Sequence, residues 1–207
     1  MNEMLGKNTL ECAKFVVGQH SEIAGIIVRP YVYVPNQPSI GEEKIVIERE
    51  HFLNSFDPNI MLVDSPEGTN ISLDSTIKLE NNINGYWPLL DLAIDKTDDG
   101  LKMAVERTEE MMSGFTGRAF LLETKRSYHL MGTNILENEG LWFDFMGKSL
   151  TANIVIKTPD GQPNIHLPYV DYRYVGHSIV RRSSGLRITT SGKKTFEPKV
   201  VVVTNLK

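Results

Sequence analysis

The chain has 207 residues, of which 41% are hydrophobic and 23% charged, with a formal net charge of −4. This length and composition predict one compact domain over residues 1–207, and the absence of repeats or low-complexity tracts excludes a repeat architecture. A single cysteine, Cys12, excludes an internal disulfide and a multi-cysteine zinc site, so we expect it to serve packing.

No apolar run approaches the roughly 20 residues that a membrane-spanning helix needs. The N-terminal apolar burst Phe15-Val16-Val17 follows two charged residues, Glu11 and Lys14, and is too short for a signal peptide. We therefore expect a cytoplasmic protein that does not contact a membrane.

Residues 1–80 predict a small N-terminal α/β unit. Asn8 or Thr9 can cap a helix that runs to about residue 19. Runs of β-branched and aromatic residues then predict a strand over residues 26–34 and shorter strands over residues 44–48 and 60–63.

A strand over residues 88–95 is the most informative segment of the chain. Leucine and isoleucine fill one face, while Asp91, Ala93 and Asp95 fall on the other face. Carboxylates that project from the end of a buried strand commonly hold divalent metals in phosphate-handling enzymes. The segment therefore predicts a metal site.

The segment after this strand predicts a helix, a hairpin and a second helix. Asp98 or Asp99 can cap a helix that ends near Gly114. Two strands, 119–122 and 128–131, then flank a short polar turn, and an amphipathic helix follows over residues 141–146. A strand, helix, strand, strand unit is half of a split β-α-β palm, which we place in residues 86–207.

Three polar residues follow in an order that suggests phosphate chemistry. Ser127 and His129 share one face of the second hairpin strand, and Asp171 follows the apolar pair Tyr169-Val170. If the hairpin strand lies beside the strand that carries Asp91, the histidine meets a metal-bound phosphate on the same sheet surface.

The C-terminal segment is strongly basic. Eight of the 22 basic residues but only one of the 26 acidic residues lie between positions 172 and 207. The segment predicts contact with a nucleotide or a nucleic-acid backbone, or a set of charges that merely solvate strand edges. Its tyrosines, together with Tyr169 just before it, either stack on bases or cover a sheet: Tyr169, Tyr172 and Tyr174.

The succession of motifs resembles the archaeo-eukaryotic primase superfamily of primases and primase-polymerases, and in size the small stand-alone primase-like proteins. That family has an aspartate-x-aspartate pair on a palm strand, a serine-x-histidine, an apolar residue plus aspartate, and then arginines. The matching segments here are Asp91-Leu92-Ala93-Ile94-Asp95, Ser127-Tyr128-His129 and Val170-Asp171, followed by Arg181, Arg182 and Arg187. The resemblance covers about residues 86–190.

This resemblance implies an α+β fold, with a primase-type palm whose sheet is like that of an RNA-recognition motif. It implies that Asp91, Asp95 and Asp171 bind Mg²⁺ or Mn²⁺ and that a nucleotide triphosphate is held by a second group of residues: Ser127, His129, Arg181, Arg182 and Arg187. Polymer extension on a DNA or RNA template, in DNA replication, is the implied reaction. A protein partner such as a helicase is compatible with the resemblance but not identified by it.

Ala93 interrupts the aspartate pair. Asp91 and Asp95 are four residues apart, about 13 Å along an undistorted strand, so they cannot both reach one metal pair. Either Asp91 is the first aspartate and Ala93 replaces the second, or Ala93 replaces the first and Asp95 is the second. The position of Asp95 at the strand end slightly favours the second alternative.

Two functions therefore stay open from sequence. The chain is a primase-polymerase-like nucleotidyltransferase, or a catalytically inactive primase-like module that binds nucleotides or nucleic acid. The sequence lacks the glycine loops and His-Glu-x-x-His helix that define P-loop, Rossmann and zincin enzymes.

Overall fold

The structure, a computed structural model, describes residues 2–32, 43–151, 153–157, 163–190 and 196–206, with the backbone alone for residues 2, 153–157 and 163–168. The helices are α1 Thr9–Gln19, α2 Arg49–Asn54, α3 Asp98–Met111, α4 Glu139–Thr151 and α5 Tyr172–Arg181. The strands are β1 Ile23–Val32, β2 Ile45–Glu48, β3 Thr69–Leu79, β4 Asn84–Tyr86, β5 Leu89–Leu92, β6 Gly117–Glu123, β7 Tyr128–Gly132, β8 Asn153–Lys157, β9 Pro163–Pro168, β10 Gly185–Arg187 and β11 Lys199–Leu206.

The predicted first helix is confirmed as α1. Its N-terminus is a capping box, in which the Asn8 side chain accepts from the Glu11 amide at 2.9 Å and the Asn8 amide donates to the Glu11 carboxylate at 2.8 Å. Cys12 is fully buried on the inner face of this helix. Burial raises the pKa of the Cys12 thiol to about 12, which agrees with the expected packing role.

Two predicted strands are corrected. Residues 60–63 form no strand; Ile60–Leu62 is a single 3₁₀ turn, and the side chains of Ile60 and Val63 are 69% and 77% exposed. The strand predicted over residues 88–95 ends at Leu92, because helix α3 is capped by Thr97 only a few residues later. The strand predicted over residues 26–34 is β1, and its last two residues lie outside the described part of the chain.

The first sheet is antiparallel and has the order β10-β3-β1-β2, with β4 also pairing with β3. Its longest strand, β3, was missed from sequence. Strand β10, which comes from the C-terminal part of the chain, pairs with β3 through Leu186 opposite Leu73. The sheet that contains the N-terminal strands is therefore completed by residues near the C-terminus. The division of the chain into an N-terminal unit, residues 1–80, and a palm, residues 86–207, stays a prediction.

The second sheet is antiparallel and has the order β11-β6-β7-β5. Helix α3 connects β5 to β6, and α4 follows β7. Residues Tyr169–Asp171 run beside the free edge of β5, where Leu92 and Val170 form a single bridge. Mixed helices and antiparallel sheets confirm the α+β class. Strands β8 and β9 form a separate hairpin.

The second sheet has a hydrophobic core on each face. Leu89 and Met131 belong to the core shared with the first sheet and α1. Leu90 and Leu130, which point the other way, belong to the core beneath helices α3 and α4. None of the helices in the described parts of the chain is long and apolar enough to cross a membrane.

Gly100 lies in the first turn of α3, where we predict that one added methyl group destabilises the fold. A Cβ at this position would collide with the backbone carbonyl oxygen of Asp95. We expect Gly100→Ala to lower the free energy of unfolding by about 1–3 kcal/mol in urea denaturation, as overpacking does. Gly147→Ala is the matched control, because its Cβ would meet nothing within 4 Å in α4, and we expect it to stabilise by about 0.5–1 kcal/mol. A neutral Gly100→Ala would contradict this close approach.

Candidate functional site

Strand register brings three predicted site residues into one row. Asp91 on β5 lies directly opposite His129 on β7. On the other side of β5, Leu92 pairs with Val170, and the Asp171 amide donates to the Asp91 carbonyl at 3.4 Å. Asp91 therefore lies between His129 and Asp171, and in antiparallel pairs directly opposite side chains share a face.

This row lies where the core between the two sheets opens to solvent. Along β5, Leu89 precedes Asp91 on the same face and is buried in the shared core. Leu122, opposite His129 on β6, is buried there as well. The side chains of Asp91, His129 and Asp171 are 37%, 13% and 35% exposed. The row therefore forms a polar edge of the packed core between the two sheets.

His129 and Asp91 are near enough for an electrostatic interaction. His129 Nε2 lies 3.9 Å from Asp91 Oδ1, beyond hydrogen-bond distance. A positive charge on His129 would stabilise the Asp91 carboxylate at this distance.

Asp171 caps helix α5, which the sequence did not predict. Its carboxylate accepts hydrogen bonds from the amides of Arg173 at 2.9 Å and Tyr174 at 3.3 Å. Capping therefore fixes the Asp171 side chain at the positive end of the helix, beside Asp91.

Tyr174 joins helix α5 to the first sheet next to this row, and it was missed as a site residue. Its hydroxyl donates to the Gly185 carbonyl at 3.0 Å and accepts from the Gly185 amide at 3.1 Å, which connects α5 to β10. Burial, and after it the nearby Asp91 charge, raises the pKa of Tyr174. The hydroxyl thus stays neutral and keeps both hydrogen bonds.

A buried ion pair lies behind this contact. Asp74 on β3 and Arg29 on β1 are almost fully buried, with Arg29 Nε 2.8 Å from Asp74 Oδ2. The same carboxylate accepts from the Ser183 hydroxyl at 3.2 Å and the Thr76 amide at 2.7 Å. Lys44 also approaches it, at 3.7 Å. One signal for this network was visible in the sequence, namely a lone carboxylate inside the β-forming run Ile71–Ile77.

Ala93 and Asp95 do not extend the row of carboxylates. The Ala93 amide donates to the Tyr169 carbonyl at 2.7 Å. Ala93 therefore lies opposite Tyr169, two residues along the chain from Asp91. Asp95 lies beyond the end of β5, exposed, in the loop before α3. The structure brings Asp91 rather than Asp95 next to Asp171, contrary to the alternative that the sequence slightly favoured.

Ser127 lies in the turn before β7 and not within the strand. Its hydroxyl is 3.1 Å from the Thr124 hydroxyl, and its carbonyl accepts from the Thr124 amide at 2.8 Å. Continuing the pairing of β5 and β7 by one residue places Ser127 opposite Ala93. Ser127 therefore lies two residues before His129 along the chain, outside the row of His129, Asp91 and Asp171.

The three arginines lie in different environments. Arg187 is on β10, in the first sheet, where its guanidinium donates to the carbonyls of Thr189 and Phe196, each at 2.6 Å. Burial lowers its pKa. Arg181 is partly buried in the last turn of α5, and Arg182 follows it in a left-handed conformation with an exposed side chain 3.8 Å from Glu139.

Two of the three predicted metal ligands, Asp91 and Asp171, are neighbours in the row, and Asp95 is not. Over the part of the chain that the structure describes, no group of three or more His, Cys, Asp and Glu side chains is arranged to hold a metal. Mg²⁺ commonly takes one or two protein carboxylates and completes its octahedron with water and substrate phosphates. Asp91 and Asp171 fit such a partial site.

A comparison with protein families identifies the family of the chain. The family model described as AEP-like, archaeo-eukaryotic primase 1D-like, matches residues 53–199, which is well over half of the chain. This range includes all of the residues in the row. Neither the curated proteins nor the solved structures contain a significant match.

Proposed function

Because the chain belongs to the archaeo-eukaryotic primase-like family, we propose that it is a primase-like nucleotidyltransferase domain. It would bind a nucleotide triphosphate with one divalent cation at the row of His129, Asp91 and Asp171, and would add the nucleotide to a nucleic-acid chain. The observation that carries this proposal is the register that places these three residues side by side on neighbouring strands.

The strand order supports a palm with a sheet like that of an RNA-recognition motif. Residues Tyr169–Asp171, β5, β7 and β6 follow one another across the sheet, with α3 between β5 and β6 and with α4 after β7. A β-α-β-β-α-β unit with its first and third strands at the centre is the ferredoxin-like arrangement. Strand β11 adds a further strand at the β6 edge.

Asp91 and Asp171 would hold Mg²⁺ or Mn²⁺. Their backbones are joined by a hydrogen bond, so their side chains start roughly 5 Å apart on one face. Hard carboxylate oxygens suit either cation. When bound, the metal would neutralise phosphate charge and orient the triphosphate for displacement.

His129 and Ser127 would contact the phosphates from the other side of β5. His129 is mostly buried, so a phosphate that reaches it would lose most of its water. The basic C-terminal segment, with Arg181, Arg182 and Arg187, would supply long-range attraction for the nucleotide and the template. Arg187 would contribute mainly its charge and not a hydrogen bond to phosphate, since its guanidinium already donates to two carbonyls.

Ala93 favours a second candidate function. Polymerases that use two metals need a carboxylate that bridges them. Two residues after Asp91, where the second aspartate of the family motif would stand, this chain has Ala93, whose methyl group cannot bind a metal. The chain would then bind nucleotide with one metal and not extend a polymer. Nucleotide binding is common to both candidates, and only incorporation separates them.

The test is manganese-dependent nucleotide incorporation on a primed template, measured with nucleotide binding by calorimetry. Asp171→Asn is the informative variant, because asparagine can still cap α5 but does not carry the charge. We expect wild type to bind and incorporate nucleotide and Asp171→Asn to do neither.

Binding without incorporation by the wild type would establish the second candidate. Absence of metal-dependent nucleotide binding by the wild type would overturn both candidates.

A further inference from the structure

The position of Asp171 beside Asp91 depends on the placement of helix α5. Residues Tyr169–Asp171 pair with the edge of β5 through a single bridge, and the hydrogen bond from the Asp171 amide to the Asp91 carbonyl is long, at 3.4 Å. The Asp171 carboxylate itself is held by the first turn of α5, where it accepts from the amides of Arg173 and Tyr174. A contact that fixes α5 therefore also fixes the second carboxylate of the row.

Tyr174 is the residue of this first turn that reaches the first sheet. Its amide donates to the Asp171 carboxylate at 3.3 Å, and its hydroxyl both donates to and accepts from the backbone of Gly185. Strand β10 is at the edge of its sheet, and in an antiparallel strand the N–H and C=O of one residue point to the same side. The hydroxyl thus stands where a further strand would pair, and it uses both its donor and its acceptor capacity there.

Gly185 is packed closely against the first sheet on its other side. It pairs with β3, and a Cβ at this position would lie 2.9 Å from the Leu73 carbonyl oxygen and 3.3 Å from the Arg29 guanidinium. The Ser184 amide donates to the Ser75 hydroxyl at 2.9 Å, and the Ser75 amide donates to the Ser184 carbonyl at 2.8 Å. The backbone that the tyrosine hydroxyl contacts is therefore a well-fixed part of the first sheet.

We propose that Tyr174 is a positioning residue for the metal site. Through its hydroxyl the first sheet holds α5, and through its amide α5 holds the Asp171 carboxylate beside Asp91. The first sheet thereby contributes to the site without a residue that touches the metal. This inference rests on the proposed function, because it concerns the cation that Asp91 and Asp171 would share.

Titration calorimetry with Mn²⁺ and a non-hydrolysable nucleotide triphosphate measures this role in Tyr174→Phe. The variant removes one hydroxyl and keeps the ring that packs against the core beneath α3 and α4. We expect the affinity to fall about 10- to 100-fold at unchanged stoichiometry, which is the usual effect of removing an outer partner of a metal ligand. Tyr86→Phe is the matched control and is expected to bind like the wild type. It removes the hydroxyl of a tyrosine that is 6% exposed and packs against Trp142.

Two further variants separate positioning from stability. Phe52→Leu removes volume from the core of the first sheet and is expected to lower stability without changing the affinity. In a variant that urea denaturation shows to be about nine-tenths folded, incomplete folding lowers the apparent affinity by only about 1.1-fold. Gly185→Ala displaces the backbone partner of the hydroxyl instead. Combined with Tyr174→Phe, it is expected to lose little more affinity than the worse single variant, because both changes break one contact.

Amide hydrogen exchange of the metal-free protein tests the same contact without a ligand. The amides of Arg173, Tyr174 and Val175 all donate to Asp171. We expect these three amides to exchange about 5- to 150-fold faster in Tyr174→Phe, because an unsatisfied buried backbone group favours local opening by this factor. The amides of β7 are expected to keep their wild-type rates.

Faster exchange together with weaker binding supports the inference. Wild-type affinity in Tyr174→Phe would overturn it and leave the proposed function standing. Weaker binding with unchanged exchange would also overturn it, because the hydroxyl would then act on the nucleotide directly. A wild-type protein that binds no nucleotide with Mn²⁺ would overturn the proposed function and this inference together.

Discussion

Asp91→Asn is expected to abolish metal-dependent nucleotide binding and incorporation, with a loss of about 100-fold or more. The substitution removes the central carboxylate of the row, beside both His129 and Asp171. A metal contributes several kcal/mol to the stabilisation of phosphate charge, and each 1.4 kcal/mol is a factor of ten. Titration calorimetry with Mn²⁺ and a nucleotide triphosphate measures the loss.

Asp95→Asn is the matched control for Asp91→Asn. It changes the same functional group four residues later, outside the strand and exposed to solvent. We expect near wild-type binding, within about threefold, since only distant and screened charge is removed. A larger loss in Asp95→Asn than in Asp91→Asn would mean that the other alternative for the aspartate pair is correct.

Asp74→Ala is expected to lower the free energy of unfolding by about 3–5 kcal/mol. It leaves the guanidinium of Arg29 buried without its carboxylate partner, and it removes the acceptor of the Ser183 hydroxyl and the Thr76 amide. Urea denaturation with a fitted slope measures this change. An exposed pair supplies the comparison, because Glu11→Gln removes the Lys7 interaction at the cost of at most about 1 kcal/mol.

The double substitution Arg29→Met with Asp74→Leu tests the cause. If the loss in Asp74→Ala comes from an uncompensated buried charge, the double variant recovers much of the stability. If both variants lose the same stability, the hydrogen bonds of Asp74 to Ser183 and Thr76 carry the effect instead.

Local patterns predicted much of the fold. The cap and apolar periodicity of α1 and the apolar periodicity of α3 identified both helices, and the β-branched run of β1 identified its strand. The predicted cap of α3 was wrong, because Thr97 and not Asp98 or Asp99 caps this helix. These signals succeed because capping and amphipathic periodicity depend on residues close in sequence. Residues 60–63 failed for the same reason, since a short apolar run forms a strand only when a partner strand is available.

Long-range pairing could not be predicted from sequence. Strand β10 joins the first sheet beside β3, and nothing near Gly185–Arg187 in the sequence indicates a partner more than 100 residues away. Helix α5 was missed because its tyrosines alternate as they would in a strand, while its N-terminus is defined by the cap of Asp171.

The candidate site was half predictable. Asp91, His129 and Asp171 were identified by type and order, but which aspartate of the first motif belongs to the site depends on register. Strand β5 ends at Leu92, so Asp95 leaves the face that it would share with Asp91 in a longer strand. The Tyr174 contact to Gly185 joins helix α5 to the first sheet and has no local sequence signal.

Anomalous diffraction at the manganese edge, from crystals grown with Mn²⁺ and a non-hydrolysable nucleotide triphosphate, tests the central claim most directly. The account predicts one strong peak with carboxylate oxygens of both Asp91 and Asp171 at about 2.0–2.3 Å, and with a phosphate oxygen on the same ion. A peak held by Asp95, or a bound nucleotide whose metal contacts neither Asp91 nor Asp171, would contradict it.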